Sequence, residues 1–161
     1  MSIPKFFIER WEMEQPAFRR VLAAIPEEKH SYRPHDASKN AAELAWQLAE
    51  EQNSLTGLFT KGEARMESRP HPKTAKEIVA AWDKATADLR KELTKLDDKS
   101  YAAPASFIWG GQTVWTDTVG GLLWGFLFDM VHHRGQISTY LRPMGAKVPA
   151  IYGPSADDTG A

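Results

Sequence analysis

Residues 116–144 read TDTVGGLLWGFLFDMVHHRGQISTYLRPM. The apolar positions Val119, Leu122, Leu123, Phe126, Leu127, Met130, Ile137, Tyr140 and Leu141 recur mostly at three- and four-residue intervals, which predicts one long core-facing helix. Pro143 and Gly145 stop it. Gly120, Gly121 and Gly125 weaken its first turns but allow a neighbouring helix to come close. Two polar residues interrupt the apolar stripe. Asp129 and His133 are four apart and stack on one face of the helix. With about 100° per residue and Phe126 as reference, His133 lies roughly 20° away and Asp129 roughly 60°, both inside the apolar arc. His132 falls roughly 120° off, on the flank.

Three more helical segments follow from the rest of the chain, each by its own signals. The first runs from about Pro4 to Ala24, with Ser2 as cap and Phe7, Trp11, Phe18, Val21 and Leu22 as its stripe. Pro16 inside it predicts a kink or break near Glu14. The second opens at Asn40 with Glu43 three residues on, a capping box, and ends near Thr60 before Gly62. The third opens in the same way at Thr74 and Glu77 and continues to about Leu96. The connections are residues 26–39, the breaker-rich ESRPHPK at 67–73, and 97–115. The last reads as an ordered loop, with a very short hairpin around Gly110-Gly111 as the alternative. No stretch makes a convincing strand. The expectation is an all-α single domain over 1–161, a four-helix bundle whose long connections imply a crossover, with a frayed tail at 154–161.

Composition narrows the function classes. A net charge of -1 leaves no basic footprint for nucleic acid or an anionic membrane. The absence of cysteine excludes disulfides, thiolate metal sites and a cysteine nucleophile. No apolar run approaches the ~20 residues of a membrane span, and the N-terminus lacks the features of a signal peptide. A cytoplasmic protein is expected.

The second helix repeats the polar intrusion. Its stripe is Ala41, Leu44, Leu48, Leu55, Leu58 and Phe59. Measured from Leu44, Glu51 lies roughly 20° off and Gln47 roughly 60°. Two helices thus each turn an (i, i+4) polar pair inward, the way bundles build metal sites. Three readings stand side by side. In the first, His133, Asp129 and Gln47 or Glu51 hold a divalent cation. In the second, Asp129 and His133 hydrogen-bond, Gln47 and Glu51 satisfy core neighbours, and Arg134 neutralises a buried carboxylate. In the third, Asp129 orients His133 as a metal-free acid–base pair. His30, His35 and His71 lie in polar connections.

Three stretches together resemble the DinB-like family. They are Ile25-Pro-Glu-Glu-Lys with Tyr32-Arg-Pro-His35, then Ala42-Glu-Leu-Ala-Trp-Gln-Leu-Ala49, then His132-His-Arg-Gly-Gln136 running on through Tyr140-Leu-Arg142 and Gly145 to Val148-Pro149 and Ile151-Tyr152-Gly153. The resemblance implies an up-down-down-up four-helix bundle, a homodimer, and a divalent metal held by three histidines. One ligand belongs to the second helix and two to the fourth. Those positions here are Gln47, Asp129 and His133, so one of the three is histidine. Glu51, a turn beyond Gln47, is placed where it could add an oxygen ligand to these three. The implied activity is a Zn²⁺- or Ni²⁺-dependent thiol transferase or hydrolase acting on a small molecule. The alternative is a non-catalytic homodimer whose site has become a buried polar cluster or a small-molecule pocket, with Trp46 and the 107–115 segment as interface candidates.

Overall fold

The structure, a computed structural model, describes residues 2–160. In chain order its elements are α1 (Ile3–Ala23), a 3-10 turn (Glu27–Lys29), α2 (Ala41–Ser54), α3 (Gly57–Lys61), β1 (Glu63–Met66), α4 (Ala75–Leu93), α5 (Asp98–Tyr101), β2 (Pro104–Trp109), β3 (Gln112–Thr118) and α6 (Val119–Leu141). The predicted caps form. Asn40 accepts from the Glu43 amide at 2.8 Å while the Glu43 carboxylate accepts from the Asn40 amide at 2.7 Å. Thr74 and Glu77 repeat the arrangement at α4. Each box satisfies backbone donors that a helix start otherwise leaves bare. Pro16 does not break α1, which continues through it to Ala23.

The four long helices pack in a closed cycle, α1 on α4, α4 on α2, α2 on α6 and α6 on α1. Their apolar faces meet in a core containing Trp11, Phe18, Leu48, Trp82, Leu89, Leu122 and Met130. A polar knot sits within it. The Gln52 amide donates to Gln15 Oε1 at 3.2 Å and to Thr86 Oγ1 at 3.3 Å, and Trp11 Nε1 donates to Gln52 Oε1 at 3.4 Å. Because buried polar groups are costly unless paired, this knot favours one register of α1, α2 and α4.

The expectation of an all-α protein is corrected by a three-stranded sheet in the order β1-β2-β3. Gly110 and Gly111, at φ of 54° and 82°, form the two-residue turn of the β2–β3 hairpin. Paired positive φ values match the twist of antiparallel strands and suit glycine. β1 runs parallel to β2, with Glu63 beside Ser106 and Met66 beside Trp109. Parallel neighbours need a long crossover, and α4 with α5 supplies it. The sheet lies against α6, where Phe107 meets Phe126 edge-on at 4.9 Å. The α6 glycines admit both a helix and the sheet: a Cβ at Gly120 would strike the Tyr101 ring of α5, and one at Gly125 the Trp115 ring of β3.

The tail makes several hydrogen bonds to the segment before it. Asp157 accepts from Arg142 Nε at 2.9 Å and from the Val148 amide at 3.0 Å, and Asp158 accepts from the Ala150 amide at 2.8 Å. These bonds tie the described tail back on itself, while Ala161 lies outside the described residues. Arg134 is a second anchor. It is buried, donates to Glu14 Oε2 at 2.5 Å and to the Tyr152 hydroxyl at 2.6 Å, and lies over the rings of Phe18 and Tyr152. It therefore joins α1 to the tail and does not neutralise a carboxylate beside His133.

Two glycines separate sterics from propensity. A Cβ at Gly57 would stand 2.3 Å from the Glu63 carbonyl oxygen, whereas one at Gly135 would meet nothing within 4 Å. Gly57→Ala should cost about 1–3 kcal/mol by forcing α3 from β1. Gly135→Ala should add up to about 1 kcal/mol, because alanine is the better helix former. Thermal unfolding of the two variants should show shifts of opposite sign.

Candidate metal centre

The contact between α2 and α6 brings the two polar pairs face to face. From α2 come Gln47 and Glu51; from α6 come Asp129 and His133, with Gln136 one turn further on. Glu51 is 2% exposed. The His133 side chain is 14% exposed, and that of Asp129 is 51% exposed at the rim. The helical projection put Asp129 inside the apolar arc, but the end of that arc opens to solvent here.

The His133 ring is held from both sides. Its Nδ1 lies 2.7 Å from Gln136 Oε1, and its Nε2 lies 2.7 Å from Gln47 Nε2. With the amides so oriented, Nδ1–H donates to Gln136 and the Nε2 lone pair accepts from Gln47. A histidine fixed at one nitrogen, with the other lone pair turned inward, has the arrangement of a metal ligand and its supporting partner. Gln136 carries no apolar-stripe signal, so only its place in the His132–Gln136 motif singled it out.

Around Nε2 stand Asp129 Oδ2 at 3.4 Å and Glu51 Oε1 at 4.0 Å. Ligand atoms from Glu51, Asp129 and His133 all lie within 4.8 Å of one another. Bonds of about 2.1 Å to a common cation would separate neighbouring ligand atoms by roughly 3–3.5 Å, so small side-chain adjustments suffice. Gln47 meets this group differently from the expectation that it ligates through oxygen. Its Nε2 donates to Glu51 Oε1 at 2.6 Å as well as meeting His133, while its Oε1 accepts from Lys39 Nζ.

The residues fit a cation on electrostatic grounds also. Glu51 Oε2 is buried with no hydrogen-bond partner among the described residues. Burial pushes the Glu51 carboxyl up to about 8, aided by the Asp129 charge and opposed by Gln47 and His133. A buried carboxylate with a bare oxygen is costly unless protonated or bound to a cation. The Asp129 carboxyl is held below its ordinary value, chiefly by the His133 imidazole and against partial burial. For His133, desolvation alone would lower the value, but Asp129, Gln136 and Glu51 outweigh it and raise it.

The other candidates separate from this group. His132 is exposed on the flank of α6. The His30 ring engages the Glu27 carbonyl, His71 the Pro72 carbonyl and His35 the Ala37 amide. Trp46, expected opposite the core stripe, is partly buried against the core. It lines a cavity of about 470 Å³ with Arg33, Lys39, Gln47, Glu50 and Trp109. Gln47 and Lys39 therefore belong both to the cavity wall and to the cluster.

A pH dependence follows for protein kept in chelator. Glu51 and His133 hold protons more tightly folded than unfolded, so stability should fall as pH rises from about 5 to beyond 8. The lowered Asp129 value acts below this window, where its stabilisation is lost on acidification. Melting temperature against pH should decline toward alkaline pH, and Glu51→Gln should flatten the decline. A wild-type profile that rises over the same range would contradict the assignment.

Comparison with known proteins agrees with the fold and with the family resemblance. The chain is 26% identical over 158 residues to YrdA, an uncharacterized protein of Bacillus subtilis, covering 94% of this chain and 89% of that one. Among solved structures, a DinB-like protein from Bacillus cereus superposes with a TM-score of 0.73 at 23% identity, covering 91% of this chain and 95% of that one. The DinB-like protein YjoA from Bacillus subtilis gives 0.69 at 17% identity, with 88% and 92% covered. These likenesses bear on the fold. The model of the DinB family matches residues 1–160, and the chain belongs to that family.

Proposed function

We propose that this protein binds one divalent cation through His133 Nε2 and the carboxylates of Glu51 and Asp129. We propose further that it acts on a small molecule admitted through the adjoining cavity, as a metal-dependent transferase or hydrolase. The carrying observation is the buried, unpartnered Glu51 oxygen beside an inward-facing imidazole lone pair. One imidazole with two carboxylates suits Zn²⁺ or Ni²⁺ and equally a harder ion such as Mn²⁺. Three protein ligands leave positions for water or substrate, and a cation bound there would lower the pKa of a coordinated water or thiol. His133 and Glu51 would fix the ion from the core side. Half-exposed Asp129 stands on the solvent side. Gln136 keeps the His133 ring in the ligating tautomer. Trp46, Met66 and Trp109 offer apolar surface to a substrate, and Arg33 and Glu50 offer charge.

The finer architecture belongs to the same reading: an up-down-down-up four-helix bundle, a cytoplasmic location and a homodimer. The bundle is supported by the closed cycle of helix contacts, and the dimer and the location rest on the family resemblance alone. A metal-free polar cluster is the second reading, favoured by the Gln47 amide that bridges Glu51 and His133. Thermal unfolding separates the two. A cation at 100 times its Kd should raise the melting temperature of chelator-treated protein by roughly 5–10 °C. His133→Ala and Glu51→Ala should abolish the rise. An unchanged melting curve at millimolar Zn²⁺, Ni²⁺ and Mn²⁺ would leave the metal-free cluster.

A further inference from the structure

We infer that Lys39 sets the cation affinity of this site by locking the Gln47 amide with its NH2 group, rather than its oxygen, on the ligand atoms. The inference rests on the metal-binding reading above and concerns its regulation. One amide makes three contacts: Oε1 accepts from Lys39 Nζ, while Nε2 donates to Glu51 Oε1 at 2.6 Å and meets His133 Nε2 at 2.7 Å. An ammonium has donors and no acceptor, so the amide end facing Lys39 must be the oxygen. The end facing Glu51 and His133 must then be the NH2.

That orientation has two consequences for a cation. The NH2 hydrogens occupy the lone pairs that would otherwise coordinate, acting as an internal stand-in for positive charge. The Gln47 oxygen is also withheld as a further ligand, because turning it inward would set the NH2 against the Lys39 ammonium. Lys39 is exposed and lies just ahead of the α2 cap, and it lines the same cavity as Gln47. The lock is therefore at the mouth of the site, on a side chain free to move away. Lys39 is a positioning residue here, acting on the ions through Gln47.

A charge-assisted hydrogen bond of this kind corresponds to about a tenfold change in affinity or somewhat more. Calorimetric titration of Zn²⁺ into chelator-stripped wild type, Lys39→Met, Gln47→Met and the double variant measures it as a cycle. Lys39→Met should tighten Zn²⁺ binding by about tenfold when Gln47 is present, and by less than about twofold when Gln47 is methionine. Equal gains in both backgrounds would mean that removal of positive charge is the whole effect, and would overturn the lock. The side-chain amide resonances of Gln47 report its orientation without metal, and Lys39→Met should shift them; unchanged resonances would also overturn it. Absence of Zn²⁺ binding in all four proteins would overturn the metal reading and the affinity claim together. Binding with no Gln47-dependent gain would overturn the lock alone.

Discussion

The carboxylate of Glu51 lies in the seam between α2 and α6 with one oxygen unpartnered among the described residues, and the surrounding arrangement answers to that fact. Isolated, such a charge would cost several kcal/mol. Three things share the load: the proton favoured by a value near 8, the Gln47 amide, and the facing His133 imidazole. On the proposed reading, a cation would replace the proton and the Gln47 contact, with His133 as its co-ligand. The α2–α6 seam thereby holds a carboxylate, an amide and an imidazole in contact.

The scaffold around this seam is well anchored. The Gln15–Gln52–Thr86 knot relates α1, α2 and α4, and buried Arg134 ties α1 to α6 and to the tail at Tyr152. The hairpin closes on the first turns of α6, where glycines leave room for Tyr101 and Trp115. Support on both sides of the α6 site residues keeps Asp129, His133 and Gln136 in fixed relation to α2. Lys39, by contrast, is exposed and can move without disturbing the core.

Much of this was legible in the sequence because helices write their buried face at a regular period. The four long helices, the Asn40 and Thr74 boxes, and the convergence of the 47/51 and 129/133 pairs all follow from that period and from cap chemistry. The sheet was not legible in the same way. β1 is four residues long, with Ala64 and Met66 as its buried alternation, and β3 is exposed almost throughout, so neither carries a strong pattern. β2 pairs with a strand some forty residues earlier, a relation that no local window contains. Within the site, residue positions could be read but bond directions could not. Gln47 stands where a ligand was expected, yet its oxygen faces Lys39. Arg134 lies next to His133 in sequence and points off a different face of α6, toward Glu14. Helical phase separates neighbours by about 100°, and the partner each finds depends on packing across helices.

Cation binding between α2 and α6 is tested most directly by diffraction from crystals soaked in Mn²⁺, recorded to bring out the anomalous signal of manganese. One anomalous peak is expected within about 2.0–2.2 Å of His133 Nε2 and of an oxygen from each of Glu51 and Asp129. The Gln47 NH2 should have moved off those atoms. No peak at this position, with Gln47 still bridging Glu51 and His133, would contradict cation binding there.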